Sequence, residues 1–134
     1  MPTVLVIEDD TDLVFLYNTA LTQKGYDVIE AHNSGEAIAL LEAPDFVPAL
    51  VFMDMGMPDM PGTRILNYMR SQTRFDETHI VVVTANEQYR ARVADKNVSR
   101  FMIKPITIAE LLSLADEHLT LSGQRISHQY LRQL

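Results

Sequence analysis

The sequence contains no cysteine and no tryptophan, and it has only five glycines and six prolines in 134 residues. Without cysteine, the chain has neither a disulfide framework nor a thiolate nucleophile, which is compatible with a reducing compartment. Its start also lacks the basic residues and the long apolar segment of a signal peptide or membrane anchor. We therefore expect a cytoplasmic protein that does not associate with a membrane.

Basic residues are also scarce in this chain. It has 11 Lys and Arg residues against 18 Asp and Glu residues, and its formal net charge is −7. Binding to nucleic acid requires clustered basic side chains, so we expect no direct nucleic-acid binding. The excess of carboxylates indicates instead that a cation neutralises some of them.

Five short apolar runs predict five β-strands, several of them rich in β-branched side chains. After each run, apolar residues at helical spacing or a capping pattern predict a helix, and the fourth helix, over residues 87–95, is polar and short. Strands without polar alternation are buried on both faces, so the pattern predicts a doubly wound α/β fold with helices on both faces of a parallel sheet. The predicted strands are residues 3–7, 26–31, 49–53, 79–84 and 100–103.

Nothing in the sequence indicates a second domain or an internal repeat. We predict one domain over residues 1–121, which is long enough to bury a sizeable core, followed by a C-terminal tail over residues 122–134. The apolar residues between Ile126 and Leu134 have the spacing of one short amphipathic helix. A segment of that length cannot fold alone.

Polar residues stand at the ends of four predicted strands. In an open parallel sheet, the carboxyl ends of the strands form the edge at which ligands bind, so we expect these side chains to converge there. They are Glu8, Asp9 and Asp10 after the first strand, Asp54 after the third, Thr84 at the end of the fourth and Lys104 after the fifth.

Carboxylates gathered in this way repel one another, by roughly 4 kcal/mol for two charges about 4 Å apart at an effective dielectric constant of 20. Either their pKa values rise or a cation binds, and oxygen ligands without His or Cys favour Mg²⁺. A carboxylate such as Asp54 beside Mg²⁺ and a lysine is equipped for phosphoryl transfer. Taken singly, Asp54 is equally explained as a turn residue, and the acids after the first strand as a helix N-terminus.

In order along the chain, these residues resemble the receiver domain of bacterial two-component response regulators, the CheY-like superfamily. The resemblance covers about residues 3–121 and consists of an acidic pair, an aspartate, a threonine and a lysine–proline pair. It implies a flavodoxin-like (βα)5 fold whose five-stranded parallel sheet has the strand order 2-1-3-4-5. The matching residues are Glu8-Asp9, Asp54 with Met57-Pro58 and Gly62, Thr84-Ala85, and Lys104-Pro105.

The resemblance also implies a role for each residue. Asp54 accepts a phosphoryl group from a sensor histidine kinase or a phosphotransfer protein. Lys104 contacts that group and acts with Asp54 in catalysis. Three carboxylates and one backbone carbonyl hold Mg²⁺, and these ligands are Glu8, Asp9, Asp54 and the carbonyl of Gly56.

A further implication is that phosphorylation alters a second surface. Thr84 moves toward the phosphoryl group, and Phe101 then changes rotamer and alters the face formed by the fourth helix, the fifth strand and the fifth helix. A downstream protein partner binds that face, and the chain is a monomer or a phosphorylation-dependent dimer. Phe101 lacks the hydroxyl of the Tyr often found at its position, and a core aromatic residue explains it equally well. The segment Asn97-Val98-Ser99 also departs from the family pattern, which predicts a short or irregular fourth helix.

Three other functions are compatible with a fold of this class. A Mg²⁺-dependent phosphohydrolase of the haloacid dehalogenase type requires Asp-x-Asp, whereas Gly56 stands two residues after Asp54. A flavodoxin-like cofactor binder requires a phosphate-binding loop after the first strand, where three acids would repel a phosphate. An unphosphorylated interaction scaffold would not need the complete set of site residues. We therefore expect a signalling switch without substrate turnover rather than an enzyme.

Overall fold

The structure is a computed structural model, and it describes residues 2–119. The predicted tail, residues 122–134, lies outside the described residues. Strands and helices alternate along the chain as predicted, with one 3-10 turn after the third helix at Thr73–Phe75. The strands are β1 (Thr3–Ile7), β2 (Asp27–Ala31), β3 (Leu50–Met53), β4 (His79–Thr84) and β5 (Arg100–Ile103). The helices are α1 (Thr11–Gln23), α2 (Ser34–Glu42), α3 (Gly62–Arg70), α4 (Tyr89–Val93) and α5 (Ile108–His118).

The five strands form one sheet in the order β2-β1-β3-β4-β5, and every neighbouring pair is parallel. This confirms the predicted fold class and the predicted strand order. Ile7 pairs with Met53, and Met53 in turn pairs with Val82. Thr84 pairs with Ile103. The carboxyl ends of the four strands β1, β3, β4 and β5 therefore lie within a residue or two of the same level.

The two faces of the sheet bury two separate hydrophobic cores, because successive side chains of a strand point to opposite faces. On one face, alternate strand residues such as Val51 and Met53 pack with residues of α2 and α3. On the other face, the intervening residues such as Leu50 and Phe52 pack with residues of α1 and α5. Among residues 2–119, no helix has the length and apolar character needed to cross a lipid bilayer.

The helix ends follow capping patterns that the sequence contains. The Asp10 side chain accepts hydrogen bonds from the backbone N–H groups of Asp12 and Leu13 at the start of α1. At the start of α5, Thr107 and Glu110 form a reciprocal capping box. These caps fix where α1 and α5 begin, directly beyond the acidic residues that follow β1 and the lysine that follows β5.

The fourth helix is short, as predicted, and α4 contains only five residues. It is shorter than the predicted range 87–95 because residues 87–88 and residues 94–95 form turns at its two ends. Asn97 then adopts a positive φ of 56°, a left-handed conformation that asparagine tolerates better than most residues.

Candidate functional site

Backbone hydrogen bonds just beyond the ends of β1 and β3 place Glu8 and Asp54 on neighbouring strands, side by side. The N–H of Glu8 donates to the carbonyl of Ala31 at 3.0 Å, and the N–H of Asp54 donates to the carbonyl of Ile7 at 3.0 Å. Each acid therefore extends its strand by one ladder bond before the chain turns away. The buried sheet thus fixes the backbone positions of Glu8 and Asp54, from which their side chains extend.

Three carboxylates meet at this edge. Glu8, Asp9 and Asp54 each contribute an oxygen atom to a cluster in which all three atoms lie within 4.8 Å of one another. Glu8 and Asp54 are buried, with 3% and 8% of their surface exposed, whereas Asp9 is exposed. Two ligands of an octahedral Mg²⁺ ion lie about 3 to 4 Å apart, so this all-oxygen set suits Mg²⁺ after small side-chain adjustments. The predicted metal-binding carboxylates are therefore together in the structure.

Lys104 lies between two of these acids. Its Nζ is 2.7 Å from Oε1 of Glu8 and 3.1 Å from Oδ2 of Asp54. Burial lowers the pKa of the ammonium, but the hydrogen bond to Glu8 and the charge of Asp54 outweigh burial and raise the pKa of Lys104 above its usual value. The side chain is therefore a fixed cation within reach of any group that binds at Asp54.

The pKa of the Glu8 carboxyl group is raised by some of its neighbours and lowered by others. Burial is the largest influence and raises the pKa of Glu8, whereas the hydrogen bonds from Lys104 and from the N–H of Asp10 lower it. The neighbouring charge of Asp54 raises it again, and the net pKa is above the ordinary value. A cation bound at the cluster would compensate the burial of these charges.

The β3–α3 loop, residues 54–61, begins at Asp54 and brings Gly56 beside it. The N–H of Gly56 donates to Oδ1 of Asp54 at 3.1 Å. At the far end of the loop, a Cβ on Gly62 would lie only 3.0 Å from the Cα of Met55, so glycine allows α3 to approach the end of β3 closely. Because Gly56 has no side chain, this position offers no acid or base for a phosphohydrolase.

Thr84 lies at the end of β4, as predicted, and is almost completely buried. Its Oγ accepts a hydrogen bond from the N–H of Asn86 at 3.4 Å, and Oδ1 of Asn86 accepts one from the N–H of Gln88 at 2.9 Å. Thr84 is thereby connected to the segment that leads into α4. It belongs to the same sheet edge as the carboxylates.

Phe101 is partly buried and packs against the core on the α2–α3 face of the sheet. The guanidinium carbon of Arg90 lies 4.5 Å from the centre of its ring, which is a cation–π contact. Arg90 also pairs with Glu87 at 2.5 Å. The ring therefore lies between the core and α4, a position compatible with both interpretations of Phe101.

Comparison with known proteins identifies the family. The chain matches the response regulator receiver domain over residues 4–116. It belongs to the response regulator receiver domain family. The transcriptional regulatory protein KdpE of Staphylococcus aureus is 30% identical over 110 residues, which are 81% of this chain and 46% of KdpE. The chain thus spans about half the length of that relative.

Solved receiver structures have the same fold. The response regulator TrrA of Thermotoga maritima, crystallised in complex with Mg²⁺-BeF, aligns with a TM-score of 0.74 and 23% identity over 87% of this chain and 97% of its own. The chemotaxis response regulator CheY4 of Vibrio cholerae aligns with a TM-score of 0.78 and 23% identity, with the same coverage. Receiver domains are signalling switches of two-component systems that interact with histidine kinases and downstream effectors.

Sequence reasoning missed two residues that the receiver domain places near its acidic edge. Tyr17 is buried, and burial raises the pKa of its hydroxyl group, on which the charges of Lys104 and Glu8 also act. The sequence offered one sign of this position, because Tyr17 carries a hydroxyl group among the apolar residues on the buried face of α1. Asp59 accepts hydrogen bonds from the start of α2. No sequence signal indicated its partners, because they are 24 to 25 residues away.

Proposed function

We propose that this receiver domain is a phosphorylation-operated switch in which Asp54 is the phosphoryl acceptor. The observation that carries the proposal is the placement of one buried carboxylate between two further acids and a lysine, at the ligand-binding edge of a parallel sheet. The donor is a sensor histidine kinase or a phosphotransfer protein. The protein works through one modification of its own side chain rather than through substrate turnover.

The reaction is an in-line displacement at phosphorus. A carboxylate oxygen of Asp54 forms a bond to the phosphorus atom while the bond from phosphorus to the imidazole nitrogen of the donor breaks. The electron pair of that bond stays on the nitrogen, and the product is an aspartyl phosphate. Lys104 is already 3.1 Å from Asp54 and would bind a phosphoryl oxygen, so that its charge stabilises the transition state.

Mg²⁺ is part of the proposal, and the residues suited to hold it are the carboxylates of Glu8, Asp9 and Asp54 and the backbone carbonyl of Gly56. The three carboxylates form an all-oxygen cluster with two buried members. The complex of the similar TrrA with Mg²⁺-BeF supports the same choice of ion for this chain. When bound, Mg²⁺ supplies positive charge to the phosphoryl oxygens during transfer.

The output of the switch is proposed to lie on the face formed by α4, β5 and α5. Thr84 would exchange its bond from Asn86 for one to the phosphoryl group, and Phe101 would change its rotamer in response. A downstream protein partner would bind this face, with the domain as a monomer or a phosphorylation-dependent dimer. The proposal takes residues 1–121 as the receiver domain, residues 122–134 as a tail, and the cytoplasm as the location.

The direct test is phosphorylation by a small donor. With Mg²⁺ and acetyl phosphate, the intact mass should increase by one phosphoryl group, and Asp54→Asn should abolish the increase. Asp45→Asn is a matched control because Asp45 is an exposed aspartate outside the cluster. It should be phosphorylated at the wild-type rate.

A wild-type chain that remains unmodified with acetyl phosphate and with a cognate histidine kinase would contradict the proposal and favour an unphosphorylated scaffold. Continuous release of inorganic phosphate from many small phosphate esters, over many turnovers, would favour a phosphohydrolase that forms and hydrolyses an aspartyl phosphate. The two measurements can be made on the same preparation.

A further inference from the structure

The β3–α3 loop is fastened to the start of α2 at the end opposite Asp54. Oδ1 of Asp59 accepts a hydrogen bond from the N–H of Ser34 at 3.0 Å, and Oδ2 accepts one from the N–H of Gly35 at 2.9 Å. The hydroxyl of Ser34, a completely buried residue, donates to the carbonyl of Met60 at 2.7 Å. Three hydrogen bonds therefore join the loop to α2.

Asp59 is well matched to this position. The first N–H groups of a helix have no partner within the helix, and a negative charge is favoured there by the helix dipole. The amides of Ser34 and Gly35 lower the pKa of Asp59, so its carboxylate stays ionised. The side chain of Asn33, the helix's own cap, accepts a hydrogen bond from the N–H of Glu36 at 2.8 Å. The cap from within the helix and the cap from the loop are thus separate.

The same junction between β2 and α2 also contacts the other side of the carboxylate cluster. The carbonyl of Ala31 accepts the hydrogen bond from the N–H of Glu8. Residues 31–35 therefore contact Glu8 through the backbone, and through Asp59 they contact the β3–α3 loop three residues after Gly56. They join the strand end next to Glu8 to the loop that contains Gly56.

We infer that Asp59 is a positioning residue that holds the Gly56 side of the cation site at a spacing suited to Mg²⁺ in preference to larger divalent ions. Mg²⁺ requires nearly octahedral ligands at about 2.0–2.1 Å, whereas Ca²⁺ accepts irregular ligands at about 2.3–2.6 Å. If the loop that contains Gly56 can move away, the site therefore loses affinity for Mg²⁺ more readily than for Ca²⁺. The inference rests on the proposed function, because it takes Glu8, Asp9, Asp54 and Gly56 as the ligand set.

The test compares the two ions in the Asp59→Ala variant of the full chain, titrated with MgCl₂ and CaCl₂ and followed by amide chemical shifts. Loss of a residue that supports metal ligands should weaken Mg²⁺ binding by about tenfold. Ca²⁺ binding should weaken by about twofold or less. Because both ions carry the same charge, removal of the Asp59 charge itself affects them equally. The ratio of the two affinities therefore isolates the positioning effect.

Asn33→Ala is the matched control, because it removes the other cap of the same helix without touching the loop. It should lower the melting temperature as Asp59→Ala does, but leave the Mg²⁺ to Ca²⁺ ratio at the wild-type value. Asp59→Asn, which keeps one acceptor oxygen, should give an intermediate ratio and serves if the alanine variant does not fold.

Equal ratios in wild type, Asp59→Ala and Asp59→Asn would overturn the inference, as would an equal loss of Mg²⁺ affinity in Asn33→Ala. If wild type binds Mg²⁺ and becomes phosphorylated on Asp54 while the ratio does not change, only the role of Asp59 fails. If wild type binds no Mg²⁺, the metal part of the proposed function fails and the inference fails with it.

Discussion

The two edges of the sheet each hold a cation, and the two cations have different partners. At the carboxyl edge, Lys104 lies between the carboxylates of Glu8 and Asp54. At the opposite edge, Arg70 at the end of α3 donates to neutral backbone carbonyls. Its Nε bonds the carbonyl of Lys96 at 2.9 Å. The other bonds go to the carbonyls of Phe75 and Asn97, each at 3.1 Å, and Thr78 at 3.5 Å.

This difference in partners gives the two cations opposite electrostatic surroundings. Burial lowers the pKa of both cations, but at Lys104 the hydrogen bond to Glu8 and the charge of Asp54 outweigh it and raise the pKa. At Arg70, burial outweighs the opposing charge of Asp76 and the pKa is lowered. Under the proposed function, the ion pairs of Lys104 with Glu8 and Asp54 can be exchanged, because Mg²⁺ or a phosphoryl group would replace one partner. No ligand of the proposed function would replace Arg70 as the donor to its backbone carbonyls. Under the proposed function, we therefore expect the contacts at the carboxyl edge to change and those around Arg70 to stay the same.

The largest expected effect is on the rate of phosphorylation. Lys104→Met should reduce the rate of mass increase with acetyl phosphate and Mg²⁺ by about 100-fold or more, because one charged donor to the transition state is lost. Arg70→Met should leave that rate within about twofold of wild type under conditions in which circular dichroism shows it to be folded, since Arg70 is at the other edge. Similar rates for both variants would remove the functional distinction between the edges.

The next effect is on the free energy of unfolding, and here Arg70→Met should have a larger effect than Lys104→Met. Arg70→Met should lower the free energy of unfolding by about 2–3 kcal/mol, because several partly buried carbonyls lose their donor. Arg70→Lys should recover less than half of that loss, since one ammonium cannot reach carbonyls in several directions. In excess MgCl₂, Lys104→Met should cost less than Arg70→Met, because the bound ion still neutralises Glu8 and Asp54. Urea unfolding measures all three, and a larger loss for Lys104→Met in MgCl₂ would contradict the comparison.

The carboxyl edge could be predicted from the sequence, and the reason is physical. Apolar runs identify buried strands, and a parallel sheet brings the residues after those runs to one edge. Glu8, Asp54 and Lys104 were therefore found from their positions alone. Arg70 could not be found in this way, because its partners are backbone carbonyls, which every residue has. The amino-acid sequence does not indicate which backbone carbonyls a loop will direct toward an arginine side chain.

Two further contacts escaped prediction for a related reason. Asp59 caps a helix that starts 25 residues earlier in the chain, and Arg90 covers a ring 11 residues later. Asp59 lies in the β3–α3 loop and Arg90 in the short helix α4, and each contacts an element that is distant along the chain. Strand periodicity and capping patterns are local, and they contain no information about such contacts. The length of α4 was overestimated because the helical pattern over residues 87–95 does not show where the chain turns toward Asn97.

The smallest expected effect is the contribution of Glu8 to the pH dependence of stability in the absence of divalent ions. Burial raises the pKa of Glu8 above its ordinary value of 4.5. Between 4.5 and the raised value, folded Glu8 therefore retains a proton that the unfolded chain has lost. Since stability falls with rising pH wherever the folded state binds more protons, this group makes the protein less stable as pH rises through that window.

Glu8→Gln, which cannot titrate, isolates this contribution. The free energy of unfolding of wild type, minus that of Glu8→Gln, should decrease as pH rises from 4.5. The same difference for Arg70→Met should change less over this range, because arginine itself remains charged throughout. Chemical denaturation in EDTA at several pH values measures both differences. A slope for Arg70→Met as steep as that for Glu8→Gln would mean that the opposite edge also depends on ionisable partners, and the distinction between exchangeable and permanent contacts would not hold.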